Sequence, residues 1–218
     1  LGRGQPAITY GVRGIAYTEV ILHGANQDLH SGLWGGRCPN PNNELMKVLS
    51  QLWDKKRRVT IPGFYDDVRP ISKKERKAWK KLKFNPIAAL KKIGLGKKAD
   101  VGEDGYTAME REWGRPTAEI NGMYGGYTGP GAKTVIPAKA SAKVSFRLVS
   151  RQNPEKIIAS FKRWAEAQMP ADCEIVWHGG SDGAPASVME IGDPAFEAAR
   201  QALTEEWGRP AAFVGAGG

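Results

Sequence analysis

The spacing of apolar and polar residues predicts a mixture of strands and helices along the chain. Strict alternation, which buries one side of a strand, is clearest over residues 138–148. The apolar positions of that face are Ala140, Ala142, Val144, Phe146 and Leu148. Residues 14–27, 117–123 and 173–178 also have strand-like patterns rich in β-branched or apolar residues. We therefore predict four main strands.

Two amphipathic helices separate these strands. Apolar residues at spacings of three and four predict a helix over residues 44–55, with Asn42 or Asn43 as its N-cap. The Asn-Pro-Glu sequence at residues 153–155 combines a capping side chain, a proline for the first helical position and an acid for the first turn. A second helix should therefore run to about residue 168. The resulting order, βαββαβ, is typical of a ferredoxin-like α+β fold.

The end of the chain has a different character. Asp193 and Pro194 predict the start of a helix that reaches about residue 207, and residues 211–214 predict a short strand. We identify no strand in this chain with which that strand could pair. We therefore interpret residues 184–218 as part of a truncated α/β catalytic domain, and residues 1–183 as a separate domain.

Positive charge is concentrated in one segment. The formal net charge is +9, but residues 73–98 contain eleven Lys or Arg against one acid, Glu75, which gives +10 there. We place this charge in an insertion at about residues 69–112 that includes two basic helical pieces. It could contact nucleic acid or another acidic partner. Such runs are usually solvated helix faces, so a nucleic-acid partner is the weaker interpretation.

The cysteines and the apolar runs of the sequence indicate the cellular location of the protein. Cys38 and Cys173 lie far apart and match no metal-ligand spacing, and no secretory leader opens the chain. We therefore expect a cytoplasmic protein with reduced cysteines. No apolar run approaches the roughly 20 residues that a membrane-spanning helix needs. We expect a soluble protein without a membrane partner.

Two segments contain candidate functional residues. Residues 28–32, Asp-Leu-His-Ser-Gly, place His30 at the end of a strand, where a lone histidine is most often an ordinary turn residue. Ser31 is a poor nucleophile, because the members of a hydrolase triad converge from separate segments. Residues 125–137 are glycine-rich and contain Lys133 and Thr134. They do not match a phosphate-binding loop, since Ala132 precedes the lysine and a strand follows.

Arg147 is a third candidate. It lies on the predicted strand over residues 138–148, and by strand parity it points away from Phe146 and Leu148. It is either a solvated arginine on the outer face or, where that face borders a cleft, a bidentate binder of a carboxylate. The sequence pattern alone leaves both interpretations open.

Several motifs resemble those in the lid domain of the two-zinc exopeptidases that include carnosine dipeptidase, aminoacylase, carboxypeptidase G and succinyl-diaminopimelate desuccinylase. They occur here in the same order as in that family. These motifs are Gly11 to Gly14, Asp28 to Gly32 with Gly35-Gly36, Asn40-Pro41, Ile61 to Asp66, and Gly131 to Pro137 followed by Phe146-Arg147-Leu148. They span nearly the whole chain. The Gly-Phe-Tyr-Asp loop and the insertion after it are most similar to the dipeptidase branch.

The resemblance implies roles for the three candidates. His30 would reach into the active site of a partner subunit and stabilise the oxyanion, Thr134 would lie near the same oxygen, and Arg147 would hold the substrate carboxylate. The family forms homodimers through this lid and hydrolyses dipeptide-like or N-acyl amino-acid substrates. Its two zinc ions are bound by residues outside this segment, so we expect no metal site here and no activity from this chain alone. The alternative is a binding module or a purely structural dimer.

Overall fold

The structure is a computed structural model that describes residues 4–217. Its strands are β1 (Ala7–Val12), β2 (Gly14–His23), β3 (Leu29–His30), β4 (Thr117–Gly125), β5 (Val135–Ile136), β6 (Lys139–Leu148), β7 (Glu174–His178), β8 (Ser187–Val188) and β9 (Ala212–Ala216). Its helices are α1 (Ser31–Trp34), α2 (Pro41–Leu49), α3 (Lys73–Lys81), α4 (Pro86–Lys92), α5 (Ala108–Gly114), α6 (Pro154–Glu166) and α7 (Pro194–Trp207). Single 3₁₀ turns cover Ser50–Leu52 and Lys97–Ala99.

The main sheet is antiparallel, with the strand order β4-β6-β2-β7. β2 and β6 pair without interruption from Gly14 opposite Leu148 to His23 opposite Lys139. The strands on each side of this central pair are β4 and β7. With α2 and α6 in the intervening positions, this is the ferredoxin-like arrangement, so the fold class predicted from the sequence is confirmed.

One face of the main sheet forms the core. The alternating side of β6 is fully buried as predicted, and α2 and α6 supply the residues that cover it. Phe146 lies between Phe64 and Phe161, with ring centroids 5.8 and 5.3 Å away. Because these large rings are fully buried, the hydrophobic effect fixes the register of β6 against the helices.

The first helix begins earlier than its apolar pattern predicted. Asn40, rather than Asn42 or Asn43, caps α2, and its Oδ1 accepts a hydrogen bond of 3.0 Å from the Asn42 amide. Pro41 then occupies the first helical position, where its missing N–H costs nothing. The helix ends at Leu49 and one 3₁₀ turn follows. By contrast, Asn153 caps α6 as predicted, through a 2.9 Å bond from the Lys156 amide.

The closing strand does have a partner, so the expectation that it would lack one was wrong. β9 pairs in parallel with β1, and β8 pairs with β1 on the other side. The sequence pattern did not indicate β1, because this six-residue strand is only partly buried and lacks regular alternation. β1 therefore belongs to a small second sheet together with the end of the chain.

Two chain segments connect the sheets and cross at Gly14. The amide and carbonyl of Ile15 exchange hydrogen bonds of 2.8 Å with Ala184. A Cβ on Gly14 would lie 2.5 Å from the Ala184 carbonyl oxygen and 2.6 Å from the Ala186 nitrogen. Only glycine allows these backbones to approach so closely.

The basic insertion is held by two buried carboxylates. Glu75 accepts hydrogen bonds from both terminal nitrogens of Arg69, from the Ser72 amide and from the Tyr10 hydroxyl. Burial alone would raise the pKa of Glu75, but the hydrogen bonds from Arg69 and Ser72 outweigh burial and lower the pKa to about 2. The insertion is thereby attached to β1.

Glu103 is the second anchor. It receives two hydrogen bonds of 2.7 Å from the Arg115 guanidinium and one of 2.9 Å from Arg58. The Arg115 guanidinium lies between the rings of Tyr65 and Tyr106, at 5.1 and 4.5 Å from their centroids. The two predicted basic helical pieces are present as α3 and α4, whereas α5 was not predicted.

Across residues 4–217 no helix has both the length and the apolar character required to cross a membrane.

Candidate active-site residues

His30 projects from a small hairpin-like pair of strands. β3 pairs with β5, so that His30 lies opposite Val135, and the Ser31 amide donates a 3.0 Å hydrogen bond to the Thr134 carbonyl. The Asp28 side chain accepts a 2.8 Å bond from the Ala138 amide. Asp28 therefore ties the two segments together, a structural role that the sequence motif did not reveal.

The imidazole of His30 is oriented by its own turn. Its Nδ1 accepts a 3.0 Å hydrogen bond from the Gly32 amide and caps α1. A Cβ on Gly32 would lie 2.7 Å from the His30 Cε1 atom, so glycine is required for this close approach. Since Nδ1 acts as an acceptor, a neutral ring carries its proton on Nε2.

Thr134 completes a pair of donors. The Nε2 atom of His30 lies 3.2 Å from the Thr134 hydroxyl oxygen, and both residues are exposed to solvent. An oxygen atom beside the pair, within hydrogen-bond distance of both atoms, could accept from Nε2–H and from the threonine O–H in place of their present contact. The geometry therefore suits the stabilisation of a developing oxyanion, and His30 points at Thr134 rather than at a nucleophilic serine.

The glycine-rich connector between β4 and β5 is a tightly folded loop. The Tyr127 hydroxyl donates a 2.9 Å bond to the Pro130 carbonyl, and a Cβ on Gly129 would lie 2.5 Å from that hydroxyl oxygen. The Lys133 ammonium lies 5.5 Å from the centroid of the Tyr127 ring. The loop leads directly into β5, and Thr134, the residue before that strand, lies next to His30. The loop does not form a phosphate-binding turn.

Arg147 lies on the open face of the main sheet. It pairs with Ile15 and Thr117 on the neighbouring strands and is half-buried at the wall of a groove of about 650 Å³. Among the described residues no carboxylate forms an ion pair with Arg147. Its guanidinium therefore has donors available for a carboxylate bound in the groove.

Arg13 lies beside Arg147 and was not singled out by the sequence. Its Nε donates a 3.1 Å hydrogen bond to the Gly217 carbonyl, and a terminal nitrogen donates one of 3.4 Å to the Arg115 carbonyl. Burial, followed by the positive charge of Arg147, lowers the pKa of Arg13. The sequence offered one signal for a role of Arg13, which is its place between β1 and β2 inside the Gly11 to Gly14 motif.

The structure does not bring Arg147 together with His30 and Thr134 in one chain. Arg147 lies eight residues from Lys139, which opens β6, and this corresponds to roughly 26 Å at about 3.3 Å per residue. The His30 pair lies beyond the Lys139 end, where the Gly24 amide bonds to the Ala138 carbonyl. The candidate residues thus form two separate half-sites at opposite ends of the sheet.

A metal ion does not fit the residues that the structure describes. Within residues 4–217, no three side chains of His, Cys, Asp or Glu are grouped so that they could hold a metal ion. His23 and His178 lie on adjacent strands, opposite Glu174 and Glu19 respectively. Neither pairing provides a third ligand.

Comparisons with known proteins give a consistent picture. The family model for the peptidase dimerisation domain of M20 peptidases matches residues 10–173. The Cys-Gly metallodipeptidase DUG1 of Saccharomyces cerevisiae is 34% identical over 168 residues, which cover 77% of this chain and 34% of that protein. The Beta-Ala-His dipeptidase of Homo sapiens is 30% identical over 171 residues, covering 76% of this chain and 32% of the relative.

Solved structures agree in fold. The di-peptidase Dug1p from Saccharomyces cerevisiae aligns with a TM-score of 0.82 and 30% identity over 100% of this chain and 46% of that chain. An M20 family metallo-carboxypeptidase from Sulfolobus solfataricus aligns with a TM-score of 0.85 and 32% identity, covering 99% of this chain and 55% of that chain.

The present chain spans about a third of the length of the curated relatives that it matches. The match to the family model covers most of the ferredoxin-like unit, including His30, Thr134 and Arg147. The chain therefore belongs to the M20 metallopeptidases and contains their peptidase dimerisation domain.

Proposed function

We propose that this chain is the lid and dimerisation part of a zinc-dependent dipeptidase in which two copies complete each other's active sites. The observation that carries the proposal is the separation of the two half-sites. A dipeptide extends over only about 7 Å. One chain therefore cannot use His30 and Arg147 on the same substrate molecule, whereas two chains in a dimer can.

His30 and Thr134 supply the first half-site. Their Nε2–H and O–H groups would donate to the carbonyl oxygen of the scissile bond as it becomes an oxyanion. The Gly32 amide holds the ring, and the Ser31 amide, bonded to the Thr134 carbonyl, holds the threonine backbone, so little movement of the chain is required when charge develops. Removing one such preorganised donor typically lowers kcat by about a hundredfold to a thousandfold.

Arg147 supplies the second half-site. Its unpaired guanidinium faces a groove and would bind the terminal carboxylate of the dipeptide through two parallel hydrogen bonds. That contact sets the distance between the carboxylate and the scissile bond. It favours dipeptides and other short amides with a free carboxylate, in keeping with the names of the relatives.

The metal would be held by parts of the protein outside this chain. Zinc would polarise the scissile carbonyl and activate water there. The residues of this chain would only orient the substrate and stabilise charge, so the chain by itself would be inactive. Cys38 and Cys173 are both free thiols, in keeping with a reducing cytoplasm.

The open edge of the main sheet is the proposed dimer surface. β4 is an edge strand, and its Met123 and Tyr124 side chains are 49% and 64% exposed. Met46 on α2 is also exposed. An unpaired edge with apolar side chains invites pairing with the same strand of a second copy.

Mixing two inactive variants tests the shared site. In the full-length protein, His30→Ala and Arg147→Ala should each abolish most activity. In a mixed dimer, one site would contain both changes and the other neither. Random reassociation should then restore about a quarter of wild-type activity, because about half of the dimers are mixed and one of their two sites works.

Differently tagged variants verify that mixed dimers form. Recovery of activity in tandem-purified mixed dimers supports the proposal. If these dimers form and remain as inactive as their parents, the two half-sites do not meet across the dimer and the proposal fails.

A further inference from the structure

The insertion contains a segment that lies at the surface of the protein. Between Leu82 and Gly102 none of the residues is buried, and α4 contributes no residue to either hydrophobic cluster. Large apolar side chains are nevertheless frequent there. Ile93 is 70% exposed and Leu95 is 46% exposed. Isolated apolar residues at a surface need no explanation, but this segment places two beside four lysines.

We call residues 91–98 the lysine-framed tip. Its sequence is Lys-Lys-Ile-Gly-Leu-Gly-Lys-Lys, so a lysine pair flanks each side of an apolar turn. All eight residues are exposed. None of the four lysines forms a salt bridge with a carboxylate in the part of the chain that the structure describes. The tip therefore has positive charge without an internal counter-charge.

The tip has a defined conformation. Gly94 has a φ of 80°, and its amide donates to the Lys91 carbonyl at 3.2 Å while the Leu95 amide donates to the Leu90 carbonyl at 3.0 Å. This pair of bonds is the Schellman motif that ends a helix. The helix end is thus satisfied locally, and the exposure of Ile93 is not required by the turn.

We propose that the lysine-framed tip binds the surface of a bilayer that contains anionic phospholipids. Ile93 and Leu95 would enter the headgroup layer, while Lys91, Lys92, Lys97 and Lys98 contact the lipid phosphates. Apolar residues and lysines on one exposed segment are what an interfacial site requires. The interaction is peripheral, and it revises our expectation that the protein has no membrane partner.

Other occupants match the tip less well. A nucleic-acid backbone would neutralise the lysines but leave Ile93 and Leu95 uncovered. A second copy of the tip would place lysines against lysines. The only acid between residues 73 and 98 is Glu75, which is buried and paired with Arg69, so it cannot offset the lysines at the tip.

Sedimentation of the 218-residue chain with vesicles tests the proposal. Vesicles with equal amounts of phosphatidylcholine and phosphatidylglycerol should bind the chain at low salt, and phosphatidylcholine vesicles should not. Binding should fall as salt rises, because the lysine contribution is screened. This measurement needs no peptidase activity, so its result is independent of the proposed function.

Two variants separate charge from insertion. K91Q/K92Q/K97Q/K98Q and I93S/L95S should each lower the binding constant for the mixed vesicles by at least about tenfold. K55Q/K56Q/K139Q/K143Q removes the same number of exposed lysines outside the tip and is the matched control, which should bind like wild type. Because none of these side chains is buried, circular dichroism should be unchanged in all three variants.

Each contrary result overturns the proposal. These results are a lack of binding to mixed vesicles at low salt, equal binding to phosphatidylcholine alone, and unchanged binding by either tip variant. Tighter binding of a single-stranded oligonucleotide than of vesicles, with no effect of I93S/L95S on it, would assign the tip to nucleic acid instead.

Discussion

The imidazole Nε2 of His30 lies 3.2 Å from the hydroxyl oxygen of Thr134, although 104 residues separate the two in sequence. The pairing of β3 with β5 brings them together, and the Gly32 amide leaves Nε2 as the donor of the ring. Two polar groups from distant segments, each able to donate a hydrogen bond, therefore lie side by side at the surface. If they stabilise an oxyanion, each should matter to the rate of reaction and neither to metal binding.

In the full-length protein, His30→Ala should lower kcat by about a hundredfold to a thousandfold, and Thr134→Val should lower it by about tenfold or more. Zinc content measured by mass spectrometry should remain at the wild-type level in both variants. Asp28→Asn is a fold control for the same hairpin, since an amide oxygen can still accept from Ala138. Unchanged turnover of His30→Ala would rule out its role in the transition state.

Arg147→Lys should raise KM for dipeptides by about tenfold or more, because lysine cannot reproduce a bidentate contact with a carboxylate. The substrate itself provides the control. A dipeptide amide lacks the carboxylate, so wild type and variant should hydrolyse it with similar efficiency. A loss of the same size on the amide would show that Arg147 supports the structure of the groove and does not recognise the carboxylate.

Glu75 should make the free energy of unfolding depend on pH in the acid range. Its folded pKa of about 2 lies below its usual value of 4.5, so its stabilising contribution is complete above about pH 4.5 and is lost as pH falls through 2. The contribution is at most about 3 kcal/mol. The difference in the free energy of urea unfolding between wild type and Glu75→Gln should therefore shrink between pH 5 and pH 2.

An exposed carboxylate provides the comparison for Glu75. Glu206→Gln, at a surface position near the end of α7, should unfold like wild type throughout this range. A constant difference between wild type and Glu75→Gln from pH 5 to pH 2 would mean that the buried hydrogen bonds, and not the charge, determine the effect.

The main sheet and its helices were predictable because their signals are local. The alternation along β6 and the Asn153 cap of α6 can each be recognised from a short run of consecutive residues. β1 was missed because its role depends on β9, some 200 residues later, and Asn40 was missed because Pro41 moves the start of α2 ahead of its apolar pattern. Similarly, no local pattern could indicate that Arg13 holds the Gly217 carbonyl beside Arg147, since that contact joins the two ends of the chain.

Gly14→Ala should separate or destabilise the two sheets. The alanine methyl group would lie 2.5 Å from the Ala184 carbonyl oxygen. The atoms around it belong to the backbone, so relieving the clash requires a shift of the chain and not of one side chain. We expect a loss of about 3 kcal/mol in the free energy of unfolding. Gly96→Ala is the control, because no atom lies within 4 Å of its Cβ, and its melting temperature should be unchanged.

The solution mass of the chain tests the dimer surface. Light scattering should give a dimer for the wild-type chain, and Met123→Asp should shift it towards monomer, because a buried carboxylate without a partner at the β4 edge costs several kcal/mol. Ile93→Asp is the matched control, since it places the same charge on an exposed apolar position of the insertion and should leave the dimer intact. If Met123→Asp remains a dimer while Ile93→Asp dissociates, the interface lies on the insertion, and the two half-sites must meet in a different arrangement.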